Sequence, residues 1–161
     1  MDQNQAKNQQ RILDFIRPAE KAKEFIERGE PLFAWVWQGM IERNSVSFPQ
    51  VIELAELAVE KDVWLPDEVL VYIMEHQDEI EERGLLKRIF TKKKSNSVLE
   101  FFDRYHEKHP ELPWSDAFVL AALKRADFKE LFLHFKFGLS ADAEVELVKR
   151  DDFIAIIDEW P

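Results

Sequence analysis

The residues with the widest chemical range in this chain are four histidines, one of which stands near an aspartate. Asp103, His106 and His109 follow one another at intervals of three residues. Each such interval turns a helix by about 300°, so Asp103 and His106 share a face while His109 turns away from it. Two ligands fall short of a di-iron bundle, which needs two Glu-x-x-His helices and two further glutamates. We expect no metal and no cofactor. If a metal were bound, Asp103 and His106 would be the candidate ligands.

Catalytic signatures that depend on fixed spacing are missing from the sequence. Four isolated glycines cannot form a phosphate-binding loop or a dinucleotide fingerprint. The sequence has neither G-x-S-x-G nor H-E-x-x-H, and the lack of cysteine removes thiolate chemistry. Acid–base catalysis needs carboxylates that face each other in a desolvated pocket, which sequence does not reveal. We therefore expect no enzyme, and a small enzyme or metal protein with a carboxylate or histidine site is an alternative.

A basic segment spans residues 83–94 and contains no acidic residue. Its cations are Arg83, Lys87, Arg88, Lys92, Lys93 and Lys94. One interpretation is a loop that binds nucleic acid, phosphate or a partner, whose binding would weaken steeply with added salt. The other is a solvated linker between two helical hairpins, neutralised by the acidic residues around it.

An acidic stripe is predicted on a helix over residues 48–61. On a helical wheel one side is apolar, while Glu53, Glu56 and Glu60 share the other side with Leu57. Carboxylates around an apolar residue suit a basic protein partner, which would gain association rate from the charges and affinity from the apolar anchor. The alternative is a helix face that is simply exposed to water.

The elements that position these residues are predicted to be helices. Gly29, Gly84 and Gly138 each follow a segment of helical period, where a left-handed residue ends a helix. Ser47 with Gln50, and Ser97 with Glu100, have the spacing of capping boxes that begin helices.

Ten helices are predicted along the chain. They cover residues 5–16, 18–28, 31–43, 48–61, 66–83, 85–90, 98–109, 114–126, 128–137 and 141–159. Residues 32–41 are apolar on every side, which indicates a central helix. Residues 131–149 also alternate with a period of two, so a small C-terminal β-hairpin is the alternative there.

A faint internal repeat has an offset of 47 residues. Val51-Ile52-Glu53 recurs as Val98-Leu99-Glu100, and Leu65-Pro66 recurs as Leu112-Pro113. Stacked helical hairpins of the HEAT type have repeats of this size, and two antiparallel pairs in an irregular bundle explain the pattern equally well.

Composition favours one folded, all-α domain. The 161 residues are 46% hydrophobic with a net charge of −10 and no cysteine, which indicates a cytoplasmic protein and argues against general nucleic-acid binding. We expect a disordered polar tail over residues 1–10, an irregular bundle of helical hairpins over 11–161, and no membrane association. By elimination, the expected function is non-catalytic protein binding, and an inhibitor or immunity-type protein directed against a basic or nucleic-acid-acting target fits it.

Overall fold

The computed structural model describes residues 3–15, 17–43, 45–83 and 97–160. These residues form ten α-helices and no β-strand. The helices are α1 (Gln3–Asp14), α2 (Pro18–Glu27), α3 (Ala34–Glu42), α4 (Phe48–Glu60), α5 (Asp67–Arg83), α6 (Ser97–Lys108), α7 (Asp116–Leu123), α8 (Phe128–Phe135), α9 (Ala141–Val148) and α10 (Phe153–Glu159). The predicted all-α fold is confirmed. None of the described helices has the length and apolar character needed to cross a membrane.

The helices belong to two compact units. The first unit is Met1–His109 and contains α1 to α6, and the second is Pro110–Pro161 and contains α7 to α10. The single domain over residues 11–161 stays a prediction. The stretch predicted as a polar tail includes the start of α1, where the side chain of Gln9 accepts a hydrogen bond from the Phe33 amide (2.9 Å) and donates one to the Pro31 carbonyl (3.1 Å).

In the first unit, α4 packs against α2, α5 and α6. It does so because its apolar residues recur at helical spacing: Val51, Leu54, Ala55 and Ala58 are all buried, as the wheel predicts. The opposite side of α4 is left for the candidate site described below.

The ends of α2 and α4 are closed by hydrogen bonds from residues in the left-handed conformation. Gly29 has φ +75°, and its amide bonds to the Ile26 carbonyl at 2.9 Å, as predicted for a residue that ends a helix. Asp62 has φ +58° and does the same after α4, although aspartate is uncommon there. At the start of α4, the Gln50 side chain accepts from the Ser47 amide at 2.9 Å, so this predicted capping pair is present.

The apolar segment 32–41 becomes α3, which is buried along one side. Val36, Trp37 and Met40 are buried, whereas Trp35 is half-buried and stacks on Phe33 with 6.1 Å between ring centroids. Placing the segment in the core is right for Trp37, but the helix is not enclosed on all sides.

In the second unit the β-hairpin alternative is wrong, because residues 131–149 contribute to α8 and α9. Phe128, Leu131 and Phe132 are buried at helical spacing, and a β-strand would place Leu131 and Phe132 on opposite faces. The left-handed residue after α8 is Lys136 (φ +53°), not Gly138 as predicted. The aromatic core of this unit includes Phe118, which stacks on Trp114 at 4.6 Å.

The single helix predicted over 141–159 is two helices, α9 and α10, with a corner over residues 149–152. Arg150 and Asp152 form this corner through two hydrogen bonds of 2.7 and 2.9 Å. The sequence around Arg150 and Asp152 is compatible with a continuous helix, but in the structure their side chains form hydrogen bonds to each other across a turn.

Candidate functional site

A groove of about 950 Å³ lies along the outer side of α4 in the first unit. Helix α2 forms one wall with Ala19, Glu20 and Lys23, and α6 forms the other with residues of its last turns. We call this feature the α4 groove. Its lining residues are Ala19, Glu20, Lys23, Gln50, Ile52, Glu53, Leu54, Glu56, Leu57, Val59, Glu60, Arg104, Glu107 and Lys108.

One wall of the α4 groove forms because α6 runs beside α4 in the same direction. Arg104 Nη2 lies 2.5 Å from Glu56 Oε2, and one turn later Lys108 Nζ donates to the Glu60 carbonyl at 3.3 Å. Both contacts join residues 48 positions apart. Helices in this register place the polar faces of α4 and α6 on one surface.

The floor of the groove is apolar. Ile52 and Leu57 are half-buried, which leaves part of each side chain accessible from the groove, and Leu54 and Val59 lie beneath as core residues. An accessible aliphatic floor offers a partner apolar area to cover, which is the principal source of affinity in protein interfaces.

The rim of the groove carries more negative than positive charge. Five glutamates line it, and three cations stand among them: Lys23, Arg104 and Lys108. One of the five, Glu56, is already compensated by Arg104, so it contributes little to attracting a partner. Glu53 and Glu60 are exposed and can meet a cation from outside.

All four residues of the predicted partner site line this groove. Glu53, Glu56, Leu57 and Glu60 share one side of α4 as the wheel predicts, with the glutamates around the leucine. Glu56 differs from the other two glutamates, because its side chain accepts a hydrogen bond from Arg104. Their role in partner binding stays a prediction.

The contributions of α2 and α6 to the groove do not follow from the sequence. Arg104, Glu107 and Lys108 recur at i, i+3 and i+4, which marks the polar face of α6. That pattern does not say which helix this face lies beside. The only sequence signal is the 47-residue offset, which relates α4 to α6 and agrees with their parallel packing.

Within the part of the chain that the structure describes, the other predicted site residues do not come together as a site. Asp103 and His106 are half-buried on α6, and the described residues contain no group of three or more potential metal ligands. Arg83 ends α5, and the basic segment beyond it lies outside the described residues, as does the predicted helix over 85–90.

Comparison with known proteins gives no relative from which to transfer a function. No protein family, no curated protein and no solved structure matches this chain.

Proposed function

We propose that this protein is a non-catalytic binding module whose α4 groove holds a basic, amphipathic helix of a partner protein. The observation that carries the proposal is the combination of an accessible aliphatic floor, at Ile52 and Leu57, with a rim of excess carboxylates. An amphipathic helix lays its apolar side into such grooves, with anchors at helical spacing.

The charge pattern selects a basic partner. A helix that places a lysine or arginine against Glu53 and another against Glu60 would span two turns of α4, since the two are seven residues apart. The net charge of −10 adds a long-range attraction for the same partner. A stoichiometric inhibitor or immunity-type protein fits this chemistry, because its carboxylates can occupy positions where a basic, nucleic-acid-acting target holds phosphates.

The experiment begins with capture of the partner from the native cell and continues with binding kinetics at low and physiological salt. Glu53→Lys with Glu60→Lys should slow association several-fold at low salt and flatten its salt dependence. Glu56 is left intact, because reversing it would also break the Arg104 ion pair. Leu57→Ala should act mainly by speeding dissociation, about tenfold if Leu57 is an anchor.

A matched control is available on α5. Glu68 and Glu75 are exposed, have the same seven-residue spacing and do not line the groove. Glu68→Lys with Glu75→Lys changes the net charge equally, so it corrects for long-range steering. Equal kinetics for the two charge reversals, together with an unaltered dissociation rate for Leu57→Ala, would reject the groove as the binding site.

The basic segment supports the second candidate function, an accessory protein that contacts nucleic acid or phosphate. Lys92→Ser, Lys93→Ser and Lys94→Ser together would abolish such binding. If the segment is a solvated linker, as the sequence also allows, the thermal midpoint should stay nearly unchanged. Measured binding of a short duplex to the unaltered chain at low salt, lost in this triple variant, would favour that function over the groove.

A further inference from the structure

The second unit is built from two copies of one helical hairpin. Residues 113–137 contain α7 and α8, here called the first hairpin, and residues 138–160 contain α9 and α10, the second hairpin. Aligned at an offset of 25, they share a serine before the first helix and the sequence Lys-Arg-x-Asp-Phe at the corner. The shared residues are Ser115 and Ser140, Lys124 and Lys149, Arg125 and Arg150, Asp127 and Asp152, and Phe128 and Phe153.

The shared residues adopt the same conformation in both copies. Ser115 and Ser140 cap their helices by accepting from the amide three residues on, at 3.1 and 3.2 Å. Asp127 has φ −90° and ψ 14°, and Asp152 has φ −93° and ψ 9°. Each corner arginine forms a bidentate pair with the aspartate two residues later. The two hairpins are thus structural repeats as well as sequence repeats.

The corner arginine also joins one hairpin to the one before it. Arg150 Nη1 donates to the carbonyl oxygens of Leu123 (2.5 Å) and Arg125 (3.0 Å), where α7 ends. Helices α7 and α9 pack together, as do α8 and α10, and Lys129 pairs with Glu159 across the junction at 2.5 Å. Stacked repeats have this property, since each one contacts the next through the same surfaces.

Equivalent positions in the two hairpins differ in exposure. Leu123 is 6% exposed, whereas its equivalent Val148 is 61% exposed. Phe132 is 3% exposed and has Trp160 of the second hairpin packed edge-on at 4.8 Å, whereas its equivalent Ile157 is 42% exposed. The second hairpin therefore leaves open the surface that it covers on the first.

Val145 and Val148 of α9, and Ile154 and Ile157 of α10, are exposed at i, i+3 spacing, and we call these four side chains the open face. A repeat whose outer face meets water normally carries polar residues on that face, which keeps a stacked array soluble. Here the outer face is aliphatic, with exposures of 42% to 67%. Such a surface suits a further hairpin better than it suits water.

We propose that the open face is a docking surface for a helical hairpin of another protein, with basic helices and an arginine at its corner. That arginine would stand to the second hairpin as Arg150 stands to the first. It would therefore donate to the carbonyl oxygens of Val148 and Arg150, the equivalents of Leu123 and Arg125. Residues 141–160 hold seven acidic and two basic residues, whereas 116–135 hold three of each. The exposed hairpin is therefore acidic, and its complement is basic. This surface does not involve the α4 groove.

A second copy of the chain is a poor occupant for two reasons. Two second hairpins placed face to face would bring together two surfaces that are each acidic, which raises the electrostatic energy of the pair. Head-to-tail stacking would need an open apolar face on the first hairpin. In that hairpin Phe118, Val119 and residues 121–123 are buried, and Leu120, Leu133 and Phe135 are half-buried, whereas the four side chains of the open face are exposed.

The test supplies a third hairpin to the full chain. One glycine after Pro161 restores the 25-residue spacing, and a copy of residues 138–160 follows with its Asp142, Glu144 and Glu146 equivalents changed to lysine. This basic copy should raise the thermal midpoint by about 4 °C or more, because it buries the open face. An unmodified, acidic copy should raise it less, and loss of the copy's own corner arginine should remove most of the gain.

Val148→Asp with Ile157→Asp is the matched control. In the extended chain it should abolish the gain, while in the parent chain, where both side chains are exposed, it should change the midpoint little. An unchanged midpoint with rapid proteolysis of the added hairpin would overturn the proposal. A dimeric parent at neutral pH that the same double variant makes monomeric, measured by light scattering after gel filtration, would also overturn it, by making a second copy the occupant.

Discussion

At the scale of single residues, an arginine–aspartate pair forms the corner of each hairpin in the second unit. Arg125 is 6% exposed and is satisfied by Asp127, so a buried charge is tolerated because its partner is two residues away. Arg150 makes the equivalent pair and adds two carbonyl contacts to the preceding hairpin. A lysine could not reproduce this fork of parallel hydrogen bonds.

The first prediction concerns the pH dependence that Asp152 gives to stability. The hydrogen bond from Arg150 lowers the pKa of Asp152 below its ordinary value, against the effect of burial. Because this pKa is lower in the folded state than in the unfolded state, the ionised Asp152 stabilises the fold above about pH 4. That contribution is lost as the pH falls through the folded pKa.

Asp152→Asn should therefore reduce the free energy of unfolding at pH 7 by about 1 kcal/mol, a value discounted for the partial exposure of the pair. At about pH 2.5 the variant and the parent should differ much less. Urea unfolding at both pH values measures this, with Asp151→Asn as a control at the neighbouring exposed aspartate. An equal loss at both pH values would mean that shape, and not charge, is what Asp152 contributes.

The second prediction separates two tryptophans of α3. Trp37 is 1% exposed, so Trp37→Ala should cost about 3–5 kcal/mol in the free energy of unfolding through loss of apolar contact and formation of a cavity. Trp35 is half-buried, so Trp35→Ala should cost clearly less. Chemical denaturation of the two variants gives the comparison, and similar losses for both would show that α3 is enclosed on both sides after all.

At the scale of elements, the sequence predicts which segments are helical better than it predicts the residues at which each helix ends. The spacing of apolar residues at i, i+3 and i+4 can be read from the sequence, so helices α4 and α8 could be predicted from it. The corner over residues 149–152 was not, because Arg150 and Asp152 are also compatible with a helix until their mutual hydrogen bonds are seen. The 25-residue repeat is hidden for a related reason: its five identities are all cap and corner residues, while the packed positions differ in size and polarity.

The third prediction uses two glycines that were both expected to end helices. Gly29→Ala should cost about 1–2 kcal/mol, because φ is +75° there and the added Cβ would meet nothing else within 4 Å, so the cost is that of the backbone alone. Gly138 has equally open surroundings but no left-handed φ. Gly138→Ala should therefore stay within about 0.5 kcal/mol of the parent.

Thermal or chemical unfolding of the two variants is sufficient, since the substitution is the same in both. A loss at Gly138 as large as that at Gly29 would mean that α8 ends in the glycine-closed form predicted from the sequence, and that Lys136 is not the left-handed residue.

At the scale of the whole molecule, the α4 groove shows how far a sequence can define a site. The four residues proposed from α4 do lie together, because neighbours on one helix face are fixed by helical geometry. The walls from α2 and α6, and the Arg104 ion pair that occupies Glu56, depend on packing between segments up to 48 residues apart. Such tertiary contacts are not encoded in any local period, so the pairing of Glu56 with Arg104 could not be predicted from the sequence.

The last prediction concerns the charge of the whole chain and the open face of the second hairpin. At neutral pH a net charge of −10 keeps copies of the chain apart, even though Val148 and Ile157 are exposed. Near the isoelectric point of about 4.9 this repulsion disappears, and apolar surface then promotes association. Light scattering should therefore show monomers at pH 7.5 and association at pH 5.

Val148→Ser with Ile157→Ser should suppress the association at pH 5 without altering net charge. Phe15→Ser with Trp64→Ser is the matched control, because those side chains are 52% and 45% exposed in the other unit and lie outside the open face. If the control suppresses association as strongly as the test pair, exposed apolar area anywhere on the chain is responsible. If only the test pair does so, the open face is the adhesive surface of this protein, and its acidity at neutral pH is what reserves that surface for a basic partner.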